Sequence, residues 1–304
     1  MLTRPRAVSR NCRIAVLAAA SPSELHRIET AAAKLERAGA RVTLAPNIAT
    51  VDPRHSYLAA DDQVRAAELN HYLRSDEFDL FLFSRGGYGA MRILDAIDYQ
   101  AILRNPRALV GFSDVTAIHQ AMAIHASVGS FHGPMLNLDF FEGLSPANES
   151  WFWAMLGGEA PLTYRFDGSQ IISGGDAEGV LFGGCLSLTA SLVGTPYDFA
   201  VEGGIWFWED VDESPYRIDR MLTHLRLSGR LQSIRGVIVG KLKNCGTEAE
   251  VDSLLREFFG DSGIPVVRDF PFGHHGDNLL MPIGAPVHLS TDALTFTLLE
   301  PAVA

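Results

Sequence analysis

Apolar residues come in short runs through the first half of the chain, at 13–19, 41–44, 79–83 and 108–111, each run bounded by turn-forming residues. Between the runs, apolar positions recur at helical spacing. The stretch 24–38 closes at Gly39, 61–73 carries Val64, Leu69 and Tyr72 among charged residues, and 115–124 continues past the fourth run. Strands without polar alternation are those covered on both faces, and their regular exchange with helices predicts an open parallel α/β sheet.

After about Gly143 the pattern breaks. Trp151-Phe152-Trp153, then Gly157-Gly158 and a polar stretch to Gly175, predict a linker. Beyond it the spacing predicts strands at 205–209, 236–240 and 286–289 and helices at 187–193, 215–227 and 248–259, an α/β or α+β arrangement. The division expected is an N-terminal domain over 1–145, a linker over 146–172 and a C-terminal domain over 173–304, in line with two domains for 304 residues.

At the start, Arg4, Arg6, Arg10 and Arg13 precede Ile14-Ala15-Val16-Leu17-Ala18-Ala19-Ala20, a short imitation of a secretory signal. We read the run as a first strand, because Ser21-Pro22-Ser23-Glu24 directly after it is a helix start with a capping serine. Composition narrows the partner. A net charge of -11 with 20% charged residues works against nucleic acid and anionic membrane surfaces, leaving a small molecule. Cys12, Cys185 and Cys245 form no C-x-x-C pair, so neither a disulfide framework nor a zinc site is expected, and a reducing cytoplasm fits.

Three fragments carry candidate chemistry: Gly111-Phe112-Ser113-Asp114 after a strand, Trp208-Glu209-Asp210 after another, and Phe272-Gly273-His274-His275-Gly276 in a glycine-flanked loop. A serine hydroxyl attacks an amide only when an imidazole takes its proton, and the imidazole needs a carboxylate to fix its tautomer. Ser113, His274 and Glu209 supply that set. Each has a plainer reading. Ser113 or Asp114 caps the following helix, Glu209 competes with Asp210, Asp212 and Glu213, and the other eight histidines, His119 and His132 among them, are surface or satisfied core residues. No H-E-x-x-H is present, and adjacent histidines do not converge on one ion, so no metal is expected. Arg85-Gly86-Gly87-Tyr88-Gly89 bares backbone N–H groups for an oxyanion or a phosphate, or is a tight structural turn. Arg92 stands where a dinucleotide fingerprint needs glycine or alanine.

Taken together, RGGYG at 85–89, GFSDVTAIH at 111–119, FHGPM at 131–135, GGCLS at 183–187, ED at 209–210, PYRIDRML at 215–222 and FGHH at 272–275 resemble the LD-carboxypeptidase family of serine peptidases, nearly end to end. The resemblance implies Ser113 as nucleophile, His274 as general base and Glu209 as its orienting carboxylate, with backbone N–H groups of Gly87 and Asp114 as the oxyanion hole. It also implies a swivelling C-terminal domain with the active site at the junction, a homodimer, a cytoplasmic setting, and no cofactor or metal. The reaction implied is release of the terminal D-Ala from a murein tetrapeptide during cell-wall recycling. Arg85 is expected near the substrate carboxylate unless an ion pair claims it, and Tyr88 beside it. One position departs: Cys185 stands where the family usually has asparagine, which leaves a loop tie or a substrate contact in question. The alternative is a microcin C immunity-type hydrolase of peptidyl or aminoacyl nucleotides, with Trp151, Trp153, Trp206 and Trp208 as candidate base-stacking residues. A non-catalytic cleft protein would have no use for all three triad residues.

Overall fold

The computed structural model describes residues 2–166 and 171–304. The first part runs β1 (Arg13–Leu17), α1 (Leu25–Arg37), β2 (Arg41–Leu44), α2 (Asp62–Arg74), β3 (Leu80–Phe83), α3 (Tyr99–Arg104), β4 (Ala108–Gly111), α4 (Thr116–His125) and β5 (Ser130–His132). Next come α5 (Pro146–Leu156), β6 (Leu162–Arg165), β7 (Ile171–Ser173), β8 (Asp176–Cys185), α6 (Leu186–Leu192) and β9 (Ile205–Glu209). The chain ends with α7 (Pro215–Leu227), β10 (Gly236–Gly240), α8 (Glu248–Phe259), β11 (Val266–Phe270), β12 (Met281–Ile283), β13 (Pro286–Ser290) and β14 (Thr295–Leu298).

Two α/β units result. In the first, the order is β12-β5-β4-β3-β1-β2, with β2, β1, β3, β4 and β5 all parallel. Strands β3 and β4 are buried at every position, which is why they were legible as unbroken apolar runs. The sheet is not parallel throughout, however: β12 pairs antiparallel with β5, so residues from the far end of the chain complete it. The second sheet, β6-β14-β13-β8-β9-β10-β11-β7, has a parallel centre of β8, β9, β10 and β11 and antiparallel strands on both sides.

The segment expected as a linker holds α5 and β6, and residues 167–170 of it lie outside the described residues. Helix α5 escapes a periodicity search because Trp151, Phe152, Trp153, Met155 and Leu156 are all buried, leaving no polar face. The expected serine cap at the start also differs. Helix α1 begins at Leu25 without a side-chain cap, while Ser21 Oγ donates to Tyr57 O (2.7 Å) and Ser23 Oγ to Ser84 Oγ (2.9 Å), tying loops together at the carboxyl ends of the strands. The run at 14–17 is buried strand. No helix among the described residues is long and apolar enough to cross a membrane.

Candidate active site

Strand β4 delivers Phe112 and Ser113 to the carboxyl edge of the first sheet, where α/β proteins place their ligands. Ser113 opens a short turn into α4 with φ of +61°, a left-handed conformation that is costly for serine and thrusts its side chain out of the strand line. The turn of 85–89 packs directly on it. A Cβ at Gly86 would sit 2.8 Å from Ser113 Cβ, 2.9 Å from Ser113 Oγ and 3.3 Å from the Asp114 nitrogen, so only glycine allows this approach. Asp114 does not cap the helix. Its buried carboxylate accepts from Ala90 N (2.7 Å) and from Gly89, binding the glycine turn to the serine turn. Burial still dominates and pushes Asp114 up to about 6.

The second sheet contributes the other two groups. Glu209 ends β9 with no exposed surface, behind Trp206, Phe207 and Trp208. Its Oε2 accepts from His274 Nδ1 (2.6 Å) and from the His274 backbone N–H (3.2 Å). Gly273, with φ of +99°, makes room: a Cβ there would fall 2.5 Å from Glu209 Oε2. On its other side His274 Nε2 lies 3.0 Å from Ser113 Oγ, and Phe112 packs edge-on against the ring at 4.9 Å. Burial raises the cost of charging either member of the pair, yet each partner outweighs it. Glu209 is held below the usual carboxylate range by His274, and His274 is lifted above the usual imidazole range by Glu209.

These groups open on a cavity of about 210 Å³ lined by Ser84, Arg85, Gly86, Gly87, Phe112, Ser113, Met135, Asn137, Leu138 and His274. Among the described residues Arg85 makes no ion pair. Its guanidinium donates to Pro22 O (3.1 Å), so a cation stands at the cavity wall with its charge uncompensated. Tyr88 lies outside the lining, half exposed and edge-on to Tyr57 (5.7 Å).

Residues 14–133 match the LD-carboxypeptidase N-terminal domain and residues 178–289 the LD-carboxypeptidase C-terminal domain. The chain is 34% identical over 296 residues, 95% of its length and 92% of the relative's, to a probable murein peptide carboxypeptidase of Bacillus subtilis. The chain belongs to the LD-carboxypeptidase family of serine peptidases. Among solved structures, the enzyme resembles a muramoyltetrapeptide carboxypeptidase from Oxalobacter formigenes (TM-score 0.81, 29% identity, 94% of this chain and 97% of that one). The microcin C7 self-immunity protein MccF in its wild-type apo state shares the fold (TM-score 0.91, 20% identity, 99% of each chain).

Several side chains around the site were not singled out in the sequence or take another part in the enzyme. The four tryptophans proposed as a stacking platform are core: Trp151, Trp153, Trp206 and Trp208 are all buried. Cys185 is buried beside Ser187 Oγ (3.2 Å) and Asp210 Oδ1 (3.6 Å) and does not line the cavity. Its thiol is pushed well up by burial and by Asp210, so it stays protonated and unreactive. Asp210, the expected rival of Glu209, accepts from Ser187 N (2.7 Å) and Val211 N (2.9 Å). His119 is the satisfied core histidine expected, bonded to Ser130 Oγ and Gly111 O at 2.8 Å each. His132 is not. It is fully buried among Phe112, Phe207 and Phe272, neither ring nitrogen has a hydrogen-bond partner among the described residues, and burial pushes it down to about 3. His275 is exposed while His274 turns inward, and no group of three or more metal-type ligands occurs among the described residues.

Proposed function

We propose that this enzyme removes the terminal D-Ala of murein tetrapeptides by hydrolysing the bond to the L-centre of diaminopimelate, with Ser113, His274 and Glu209 as the catalytic triad. The observation that carries this reading is the continuous path from Ser113 Oγ through His274 to Glu209 Oε2, at 3.0 and 2.6 Å. As Ser113 Oγ attacks the carbonyl carbon, His274 Nε2 takes its proton, and Glu209 stabilises the imidazolium. The oxyanion forms against the N–H groups of Gly87 and Asp114, held together by the Asp114 to Ala90 bond. His274 then passes the proton to the departing amine of D-Ala as the C–N bond breaks, leaving an ester on Ser113. Water, deprotonated by the same imidazole, hydrolyses that ester and frees the tripeptide.

The substrate assignment draws support from the names of the murein-acting relatives and from Arg85, whose unpaired charge suits the free carboxylate of D-Ala. The nucleotide reading loses its stated support with the burial of the four tryptophans. Cytoplasmic recycling and a homodimer belong to the same proposal; light scattering of the purified enzyme checks the second. The central test is release of free D-alanine from L-Ala-γ-D-Glu-meso-diaminopimelate-D-Ala, expected from wild type and absent in Ser113→Ala, a loss on the order of 10⁶ in kcat. A wild type that releases none, yet is labelled by a fluorophosphonate at Ser113, would keep the triad and discard the murein substrate.

A further inference from the structure

Of the two links in the proposed triad, the one between His274 and Glu209 is internal to the second unit, whereas Ser113 to His274 crosses from one unit to the other. Something must set that crossing distance. The loop bearing His274 is pinched at its base, where Leu279 N donates to Pro271 O (2.7 Å) and Gly273 N to Asn278 Oδ1 (2.9 Å). Beyond it the chain enters the first sheet at Met281, opposite His132. Between these points Asp277 reaches back to the start of α5, where its two carboxylate oxygens accept from Ser145 Oγ (3.0 Å) and Asn148 Nδ2 (2.7 Å). Ser145 is itself fixed as the helix cap, accepting from Asn148 N (3.2 Å), and the positive helix end favours the carboxylate.

We infer that Asp277 is a positioning residue: its clamp on Ser145 and Asn148 holds the His274 loop at reacting distance from Ser113 without touching substrate or triad. The inference rests on the proposed triad. Both hydrogen bonds from His274 to Glu209 are independent of the clamp, and the other groups facing His274, namely Asp210, Asp139 and His132, are not bonded to Asp277. Losing the clamp therefore loosens one distance and leaves the electrostatics of the base intact. A displacement of about 1 Å between nucleophile and base costs on the order of 10²-fold in rate.

The experiment is fluorophosphonate labelling of the full chain against pH, which needs no knowledge of the natural substrate. Asp277→Ala is expected to lower the maximal labelling rate 10- to 100-fold, on the order set by such a displacement, with the pH midpoint where wild type has it. The exchange Asp277→Asn with Asn148→Asp restores a donor and acceptor across the same gap and is expected to recover most of the rate. A merely structural role would lower thermal stability and leave the rate per folded molecule unchanged, which overturns the inference. So does a moved pH midpoint, or an exchange variant no faster than Asp277→Ala. A wild type that is not labelled removes the triad reading itself and this inference with it; a labelled wild type matched by Asp277→Ala removes the inference alone.

Discussion

The two halves of the site are built on opposite principles. On the Ser113 side the backbone does the placing: a left-handed serine, a glycine turn packed within van der Waals contact, and a buried aspartate whose carboxylate binds one turn to the other. On the His274 side placement is electrostatic. A fully buried carboxylate is hydrogen-bonded to one side chain, His274, with Oε1 unpaired among the described residues, and the imidazole hangs on a loop tied by side chains. The first half fails first on added volume at Gly86, where a Cβ would press on Ser113. The second fails first on lost charge at Glu209, although a Cβ at Gly273 would also collide with that carboxylate.

With the nucleophile left in place, removing charge from the second half gives the largest expected effect. Glu209→Gln keeps the shape but cannot stabilise the imidazolium, and the comparable change in serine proteases costs on the order of 10⁴ in kcat. The pH dependence sharpens the test. In wild type Glu209 lifts His274 above the usual imidazole range, so the acid limb of kcat/KM lies above that range; without the carboxylate, burial governs, the His274 pKa falls and the limb moves to lower pH. A limb that stays put would mean the titration belongs to another group. Volume added to the first half ranks next. Gly86→Ala brings a methyl within 2.8 Å of Ser113 Cβ, and the serine must give way. A loss on the order of 10² in kcat, with the acid limb unmoved, is the expected outcome.

Legibility in the sequence divides along the same line. Strands β2, β4, β9 and β10 and helices α7 and α8 coincide with the expected ranges because burial patterns are periodic and local. Ser113 was legible as the residue at a strand-to-helix turn, although nothing in the letters announced its positive φ. Strand β8 was missed because Asp176, Glu178 and three glycines leave it an apolar run of only Val180-Leu181-Phe182, and β12 because it is three residues long with Pro282 in the middle. Helix α5 left a cue in Ser145-Pro146, a cap followed by a first-turn proline, though its apolar faces hid it. His274 and Glu209 were set apart from their competitors by family resemblance alone. A hydrogen bond between residues 65 positions apart has no local trace.

The cavity wall joins the two halves, and Arg85 tests what it recognises. Arg85→Lys keeps one positive charge but gives up the planar fork that grips a carboxylate with two parallel hydrogen bonds. KM for the tetrapeptide is expected to rise about tenfold, equivalent to ~1.4 kcal/mol, with kcat within a factor of a few of wild type. An unchanged KM would take Arg85 away from the substrate and leave it as a structural donor to Pro22.

The smallest effect separates a neighbour of the triad from a member of the binding site. Cys185 stands one strand from Glu209, paired with it across β8 and β9, yet its thiol faces Ser187 and Asp210 and not the cavity. If the usual family asparagine served the substrate from this position, replacing the thiol would alter KM. If it served the loop, only stability would change. Cys185→Ser is nearly isosteric and places a stronger hydroxyl donor beside Asp210, whose buried carboxyl is already pushed up to about 6. The expected result is unchanged KM and kcat for D-alanine release, with a shift in unfolding free energy of about 1 kcal/mol in either direction as hydroxyl burial opposes the new bond. A KM change beyond threefold would place this position in substrate recognition and extend the electrostatic half of the site from β9 across to β8.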